Sequence, residues 1–395
     1  MADRNVVLCA AARTAIGTYG GSLKDVPATE LGAAAIRGAL ERARIDAGAI
    51  QTVVMGQVVQ AGSKMNPARQ AAIQGGIPAQ VPAMTVNRVC GSGAQAIASA
   101  AQEVMLGFTR CALAGGMENM DRAPYLLDRA RWGYRMGDAS MYDSMLRDGL
   151  DDAFCSRHSG WVTEDLVQRF HIAREAQDRW ALRSQQRFAA AQAARKFDAE
   201  IVAVEVRGRK GPVSFAKDEH NRPDTTLEIL SKLKPAFRDD GTITAGNAPG
   251  LNSGAAAMIV ADEGWAQAHG LASMGRLVSF GVGAVEPGMF GLGPVPAVRQ
   301  ALERARWKIS DVGRFEVNEA FAAIVLAVIG ELGIPEDLVN VEGGAIAHGH
   351  PIGATGAVLA TRLLHSMKHD GIRRGIVTLC IGGGQGIALA LEVPG

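Results

Sequence analysis

The hexapeptide Ala-Leu-Glu-Arg-Ala-Arg occurs twice in this chain of 395 residues, at Ala39–Arg44 and at Ala301–Arg306. Alone the match carries little, because Ala, Leu, Glu and Arg are good helix formers and coincide by chance. Its surroundings repeat as well. Each copy follows a strand-like segment, Asn5–Ala12 and Gly275–Gly281, and precedes another, Thr52–Met55 and Arg314–Val317. After nearly equal distances come Cys90 and His350, each opening the pattern residue-x-x-Gly-Ala: Cys90-Gly91-Ser92-Gly93-Ala94 and His350-Pro351-Ile352-Gly353-Ala354. A helix is expected after each, Ala94–Leu106 and Thr355–Lys368, and then an apolar strand ending at Gly115-Gly116 and at Gly382-Gly383. Self-similarity of this kind bounds a fold before any local propensity is weighed. The chain therefore reads as α/β, with two duplicated α/β halves whose alternating strands and helices imply mixed or parallel sheets covered by helices. If the halves pack about a pseudo-twofold axis, Cys90 and His350 occupy matching places and face one another.

A chain this long exceeds one ordinary hydrophobic core, so two or three domains are expected. The repeat divides it into an N-terminal half (1–120, completed by about 241–270), an insertion (121–240) and a C-terminal half (271–395). The insertion differs in character. It holds charge clusters (Arg129, Arg131, Asp151, Asp152), an Ala/Gln/Arg helix expected over Arg174–Phe197, and a turn-rich basic stretch from Arg207 to Lys234. Ala173, Ala176, Trp180 and Phe188 are the expected buried stripe of that helix. Long loops with one docked helix are a natural place for substrate contacts.

A formal net charge of +1 gives no reason to expect nucleic acid or a membrane surface as partner. The five cysteines (Cys9, Cys90, Cys111, Cys155 and Cys380) are odd in number, scattered and without a C-x-x-C pair. That argues against a disulfide framework or a zinc site and for a reducing compartment. The short apolar run Val6–Ala12 is no signal-peptide core. The stretch Ala320–Gly330 is about half a membrane span and reads as a buried helix. The ending Val393-Pro394-Gly395 carries no retention or peroxisomal address. Cytoplasm is the expected location.

Four segments carry chemistry. Cys90 opens a glycine-rich turn into a helix, where unsatisfied N–H groups and the helix dipole favour thiolate over thiol. The alternative is an inert buried cysteine; the glycine turn favours the reactive reading. In His348-Gly349-His350-Pro351 a histidine can serve as general base and activate a thiol. Two histidines one residue apart suggest metal, but no third ligand lies nearby in sequence, so no metal site is expected. Cys380 precedes Gly382-Gly383-Gly384 and ends a strand over Gly375–Leu379. The glycines expose backbone N–H groups suited to an oxyanion hole or anion nest, and a thiol can donate a proton where carbanion character develops. In Asn318-Glu319-Ala320-Phe321-Ala322, Asn318 is either a helix N-cap or a group that holds a water or donates toward a thioester oxygen.

These segments in this order closely resemble the thiolases, acetyl-CoA C-acyltransferases, over nearly the whole chain from Arg13-Thr14-Ala15-Ile16-Gly17 onward. The specific parts are Val89–Gly93, Asn318–Ala322, Gly343–Ala347 with Gly349-His350-Pro351, and Cys380–Gly384. Arg131-Trp132-Gly133 and the Leu-Cys-Ile-Gly-Gly-Gly-Gln ending resemble bacterial β-ketothiolases. The resemblance implies a thiolase-like fold layered αβαβα with an inserted loop domain. It also implies CoA-dependent cleavage of 3-ketoacyl-CoA, or the reverse Claisen condensation, through an acyl-cysteine. By it Cys90 is the nucleophile, His350 activates Cys90 and later coenzyme A, and Cys380 exchanges the proton at the α-carbon. The N–H groups of Cys90 and Gly382 form one oxyanion hole, and His350 with an Asn318-held water forms the other. Arg222 and His158 match the family's coenzyme A contacts, with Phe321 beside the substrate. The substrates implied are acetyl-CoA, acyl-CoA and 3-ketoacyl-CoA, with no metal or redox cofactor, in a homo-oligomer (tetramer or dimer) serving fatty acid metabolism.

The chain departs from the family at Pro249 and Ile229, where serine is frequent, and at Ser159, where short-chain members carry Met. A smaller residue at 159 widens the acyl pocket. Glu342 and His348 are unusual beside the catalytic loop and are expected to shift the pKa of His350. Three rivals remain: a decarboxylating ketoacyl synthase, which pairs its cysteine with two histidines; a non-catalytic acyl carrier, which loses the nucleophile or base; and a cysteine hydrolase, which needs neither coenzyme A nor a second thiol.

Overall fold

The protein is described by a computed structural model covering residues 4–208 and 211–393. Arg209 and Lys210 of the basic stretch, and the Pro394-Gly395 ending, lie outside the described residues.

The two halves meet in one hydrogen-bonded sheet. Its nine main strands are β1 (Val6–Thr14), β2 (Thr52–Gly56), β3 (Ala83–Val86), β4 (Cys111–Asn119), β5 (Asn252–Asp262), β6 (Ser273–Ala284), β7 (Arg314–Val317), β8 (Arg374–Ile381) and β9 (Gln385–Glu392). Their order is β7-β8-β9-β6-β1-β5-β4-β2-β3, with Gly17–Thr18 and Ile201–Val202 added at the side. Read outward from the centre, the two sides match. β1 and β6 pair antiparallel at the junction, β5 and β9 follow antiparallel, then β4 and β8, then the parallel neighbours β2 and β7, with β3 beyond β2 as the one strand without a counterpart. This is the pseudo-twofold arrangement expected from the repeat.

Eight helices position the site: α1 (Ala28–Ala43), α2 (Pro67–Gln74), α3 (Ser92–Leu106), α4 (Ser159–Phe170), α5 (Arg174–Ala193), α6 (Pro294–Ala305), α7 (Ala322–Leu332) and α8 (Thr355–Asp370). The repeated hexapeptide ends α1 and α6 in the same way, with Arg44 (φ 53°) and Arg306 (φ 57°) as left-handed caps. Helices α3 and α8 form the middle layer, sharing one core with Leu8, Ala114 and Met258 from one half and Leu277, Val377 and Leu389 from the other. Because strand side chains alternate between faces, Val53 and Met55 point the opposite way, onto α1 and α2. Phe315 and Val317 likewise meet α6 and α7. The two halves of the one sheet thus make two layers, and the order runs helix, half-sheet, helix, half-sheet, helix, as the αβαβα expectation has it.

The middle layer decides where the reactive residues sit. A Cβ on Gly93 would lie 2.6 Å from the Ala357 nitrogen, and one on Gly356 would lie 2.3 Å from the Ala94 nitrogen. Gly93 of the first repeated step and Gly356, three residues after Gly353 of the second, let α3 and α8 cross in backbone contact near their N-termini. Cys90 and His350 precede those termini and so are carried to the same place.

Several boundaries differ from expectation. Strand β4 continues past Gly115-Gly116 to Asn119, and β8 includes Cys380 and runs to Ile381, where the three glycines make the hairpin into β9. Helix α5 stops at Ala193, and its buried face is largely polar: Gln177, Asp178, Ser184 and Gln185 are buried with Trp180 and Phe188, while Ala173 is exposed. An apolar stripe was the wrong guide because this helix packs on polar loops around Glu319 and Ile346. Helix α7 begins at Ala322 with Phe321 as cap residue and no side-chain cap. Asn318 is upstream in the loop, so the N-cap reading fails. Among the described residues no helix is long and apolar enough to cross a membrane.

Candidate active site

Cys90 follows a strained turn. Val89 has φ 44°, a left-handed conformation costly for a β-branched residue. Three hydrogen bonds hold it: Val89 N–H donates to Asn87 Oδ1 (2.9 Å), Arg88 N–H donates to Ser92 Oγ (2.9 Å), and Ser92 Oγ–H donates to Val89 O (2.6 Å). The turn aims Cys90 into a cavity of about 420 Å³. His350, Gly382, His158, Ser159, Pro249 and Phe321 line the same cavity.

The electrostatics of Cys90 differ from expectation. Burial pushes its thiol up to about 11, against the N–H groups of Gly382 and of Cys90 itself, which favour the thiolate, while the Glu118 charge adds to the rise. Two N–H donors are thus in place, but removal from water outweighs them. The resting residue is a thiol, not the thiolate that the helix terminus suggested. It needs a base.

His350 lines the same cavity. Its N–H donates to Asn252 Oδ1 (2.8 Å), and Gly349 before it has φ 99° with Asn252 so close that a Cβ would fall 2.5 Å from that amide carbon. Nδ1 is 2.7 Å from Thr355 Oγ1, whose hydroxyl donates to Pro351 O (2.8 Å). With its one hydrogen committed, Thr355 accepts from Nδ1–H, which leaves Nε2 unprotonated. Burial pushes the imidazole down to about 4, with no charged group contributing. Glu342 and His348 therefore do not act on it as expected: Glu342 pairs with Lys196 (3.0 Å), and His348 faces the Phe188 ring with centroids 6.1 Å apart. Thr355→Val keeps the shape and removes the acceptor. It is expected to lower kcat for thiolytic cleavage about 10- to 100-fold with KM little changed; an unchanged kcat would show that Thr355 does not set the tautomer.

Behind the cavity wall sit two more of the expected residues. Asn318 Nδ2 is 3.4 Å from His350 Nε2, and its buried Oδ1 has no protein donor. Cys380 is 1% exposed, and burial together with the neighbouring Cys90 holds its thiol well above the ordinary cysteine range. It stays protonated at neutral pH. Toward the mouth, His158 Nδ1 accepts the Gly160 N–H (3.0 Å), and its ring stacks on Phe237 (4.5 Å), which meets Phe321 edge-on (6.0 Å). Arg222 does not line the cavity. It is exposed at the rim, with Nη1 3.5 Å from the carbonyl of the lining residue Ala245. Ile229 is an exposed surface residue. The insertion supplies acid as well as base to the mouth: Asp148, Asp151 and Asp152 line it beside Arg147. Among the described residues no group of three His, Cys, Asp or Glu side chains is gathered as a metal site.

Sequence reasoning missed four residues that hold the site: Asn252, Thr355, Glu118 and Glu319. Glu319 is fully buried and accepts from Trp180 Nε1 (2.9 Å), Ser184 Oγ (2.7 Å), Asn340 Nδ2 (2.9 Å) and the Ile346 N–H (3.0 Å), tying α5 to the histidine loop. Lone carboxylates inside apolar segments were the available signal for Glu118 and Glu319. Asn252 and Thr355 gave none.

A thiol and a neutral imidazole on one largely apolar cavity, with backbone donors at the sulfur, can take an acyl group and pass it on. Fold and cavity together define an acyltransferase on a duplicated α/β scaffold. The chain belongs to the thiolase family: residues 6–264 match the thiolase N-terminal domain and 271–393 the thiolase C-terminal domain. It is 50% identical over 389 residues to the acetyl-CoA acetyltransferase of Cupriavidus necator, covering 98% of this chain and 99% of that protein. It is 52% identical to a probable acetyl-CoA acyltransferase of Staphylococcus epidermidis, covering 98% of each. Among solved structures, the Bacillus anthracis acetyl-CoA acetyltransferase superposes with a TM-score of 0.97 at 42% identity. Human mitochondrial 3-ketoacyl-CoA thiolase gives 0.96 at 40%; each alignment covers 99% of both chains.

Proposed function

We propose that this protein is a thiolase that cleaves 3-ketoacyl-CoA with coenzyme A to acetyl-CoA and acyl-CoA, and runs the reverse condensation, through an acyl group on Cys90. The observation that carries the roles is the meeting of Cys90 and His350 at one cavity with Cys380 behind it. In cleavage, His350 Nε2 takes the Cys90 proton and the thiolate attacks the ketone carbon. The bond to the α-carbon breaks, its electron pair leaves as the enolate of acetyl-CoA, and Cys380 S–H protonates that carbon. His350 passes its proton on to Cys380, takes the proton of the coenzyme A thiol as that sulfur attacks the acyl-cysteine, and returns it to Cys90 as the thiolate leaves. Negative charge builds on an oxygen at each step. The N–H groups of Cys90 and Gly382 meet it on the acyl side, and His350 with Asn318 on the enolate side. The chemistry needs no metal or redox group.

Arg222 at the rim suits a phosphate of coenzyme A, and the apolar stack of His158, Phe237 and Phe321 suits its pantetheine arm, with Pro249 offering packing where a hydroxyl would bond. The exposed side chains of Tyr125, Trp132 and Met136 in the insertion, the last two 87% and 94% exposed, favour a homo-oligomer, a tetramer or dimer. A cytoplasmic place in fatty acid metabolism fits free thiols and acyl-CoA substrates.

The test is loss of ketoacyl absorbance with acetoacetyl-CoA and with a longer 3-ketoacyl-CoA, each with free coenzyme A. Cleavage that does not depend on coenzyme A, or none by folded protein, overturns the reading. Ser159→Met should leave acetoacetyl-CoA cleavage near its original rate and cut the longer substrate about tenfold or more. Equal effects on both would show that residue 159 does not bound the acyl chain.

A further inference from the structure

Glu118 is fully buried near the end of β4. Its Oε2 accepts the N–H groups of Val58 (3.0 Å) and Gly353 (2.9 Å), and its Oε1 accepts that of Val59 (3.3 Å). Among the described residues no Lys, Arg or His forms an ion pair with it. Burying a carboxyl group without a cation is costly, and an apolar residue would fill the space without that cost. The donors explain the choice. Val58 and Val59 follow β2 and join Met120, Met145 and Ile352 in the apolar wall against which Val89 and Cys90 pack. Gly353 belongs to the other half, in the turn between His350 and α8. One side chain thus spans the pseudo-twofold junction and ties the wall beside the nucleophile to the turn that carries the base. The fit is close, since a Cβ on Gly353 would lie 2.6 Å from Oε2.

We infer that Glu118 is a positioning residue whose ionised carboxylate holds the His350 turn against the Val58–Val59 wall, so that Nε2 meets the Cys90 thiol. This rests on the thiolase reading above. Burial pushes the Glu118 carboxyl up to about 7, against its three backbone donors. The titratable group facing it is Cys90, held near 11, and His350 lies near 4. Neither changes charge in the neutral range. Glu316 on β7 is also pushed up by burial, to about 8, but is not among the hydrogen-bond partners of this carboxylate, so a neutral-range step that is lost when Glu118 is replaced reports Glu118, with the deprotonated form the faster.

Glu118→Gln keeps the size and replaces one acceptor oxygen by an amide NH₂, a donor that meets an N–H donor. The expected result is a fall in kcat of about 10²-fold with KM little changed and the thermal midpoint close to wild type. Single-turnover acetylation of Cys90 by acetyl-CoA, followed by mass across the neutral range, should show a step near pH 7 in the wild type and none in the variant. A variant kcat within about twofold of wild type, or the same step in both proteins, overturns the inference. Should Glu118→Gln not fold, the wild-type profile decides: a step supports the role, and a flat profile overturns it. Failure of the thiolase reading looks different, because the wild type itself would then cleave no 3-ketoacyl-CoA.

Discussion

Cys90→Ala is expected to abolish acyl-enzyme formation and to lower thiolytic turnover by about 10⁴-fold or more, the scale on which loss of a nucleophile is felt. The physical ground is that no other group can take its place. Cys380 is fixed in the ladder of β8 and its thiol is held well above the ordinary range, so it stays protonated, a proton donor rather than a nucleophile. Cys155 is exposed on the surface of the insertion. The fold should survive, since Cys90 is only partly buried and the strained turn is held by Asn87 and Ser92 rather than by the sulfur. Incubation with acetyl-CoA followed by intact mass measures it directly: wild type gains an acetyl group and the variant does not. An acetylated variant with normal turnover would place the nucleophile elsewhere.

Cys380→Ser separates the two halves of the reaction. Acetylation of Cys90 requires only Cys90, His350 and the N–H donors at the sulfur, so its rate should stay near wild type. Forming or breaking the carbon–carbon bond requires a proton to move at the α-carbon. An alcohol is a far weaker acid than a thiol, so it gives a proton to the enolate less readily and does not form, near neutral pH, the anion that takes one back. Condensation should therefore fall by about 10²- to 10⁴-fold, the usual worth of a positioned acid–base group. The thiol is already hard to ionise here because of burial and the neighbouring Cys90, which suits a donor that must stay protonated until the enolate appears. Condensation at the wild-type rate would assign the proton to another group.

The two variants bracket the chemistry because the fold keeps the thiols apart in role. Cys90 opens on the cavity from the start of α3, whereas Cys380 is inside β8, one residue before the strand ends. A strand ending at Leu379 would have left Cys380 in the glycine turn and as free to move as Cys90. Its place in the ladder opposite Gly386 fixes it.

The sequence by itself determined the duplication, and with it the two matched α/β halves and the matching places of Cys90 and His350. These follow from local signals: hydrophobic period, a repeated hexapeptide and a repeated Gly-Ala step all act within a few residues of one another. The tertiary structure alone decided the protonation of the pair. A helix start argues for thiolate, yet burial lifts Cys90 to about 11 and lowers His350 to about 4, and burial is set by parts of the chain far apart in sequence. It also decided which polar residues hold the site. Thr355, Asn252, Glu118 and Glu319 bond across separations that no spacing rule reaches, such as the 235 residues between Glu118 and Gly353. Glu342 and His348 stand beside the catalytic loop in sequence but face away from it in space. Nearness along the chain fixes conformation, whereas charge and hydrogen bonding answer to nearness in space.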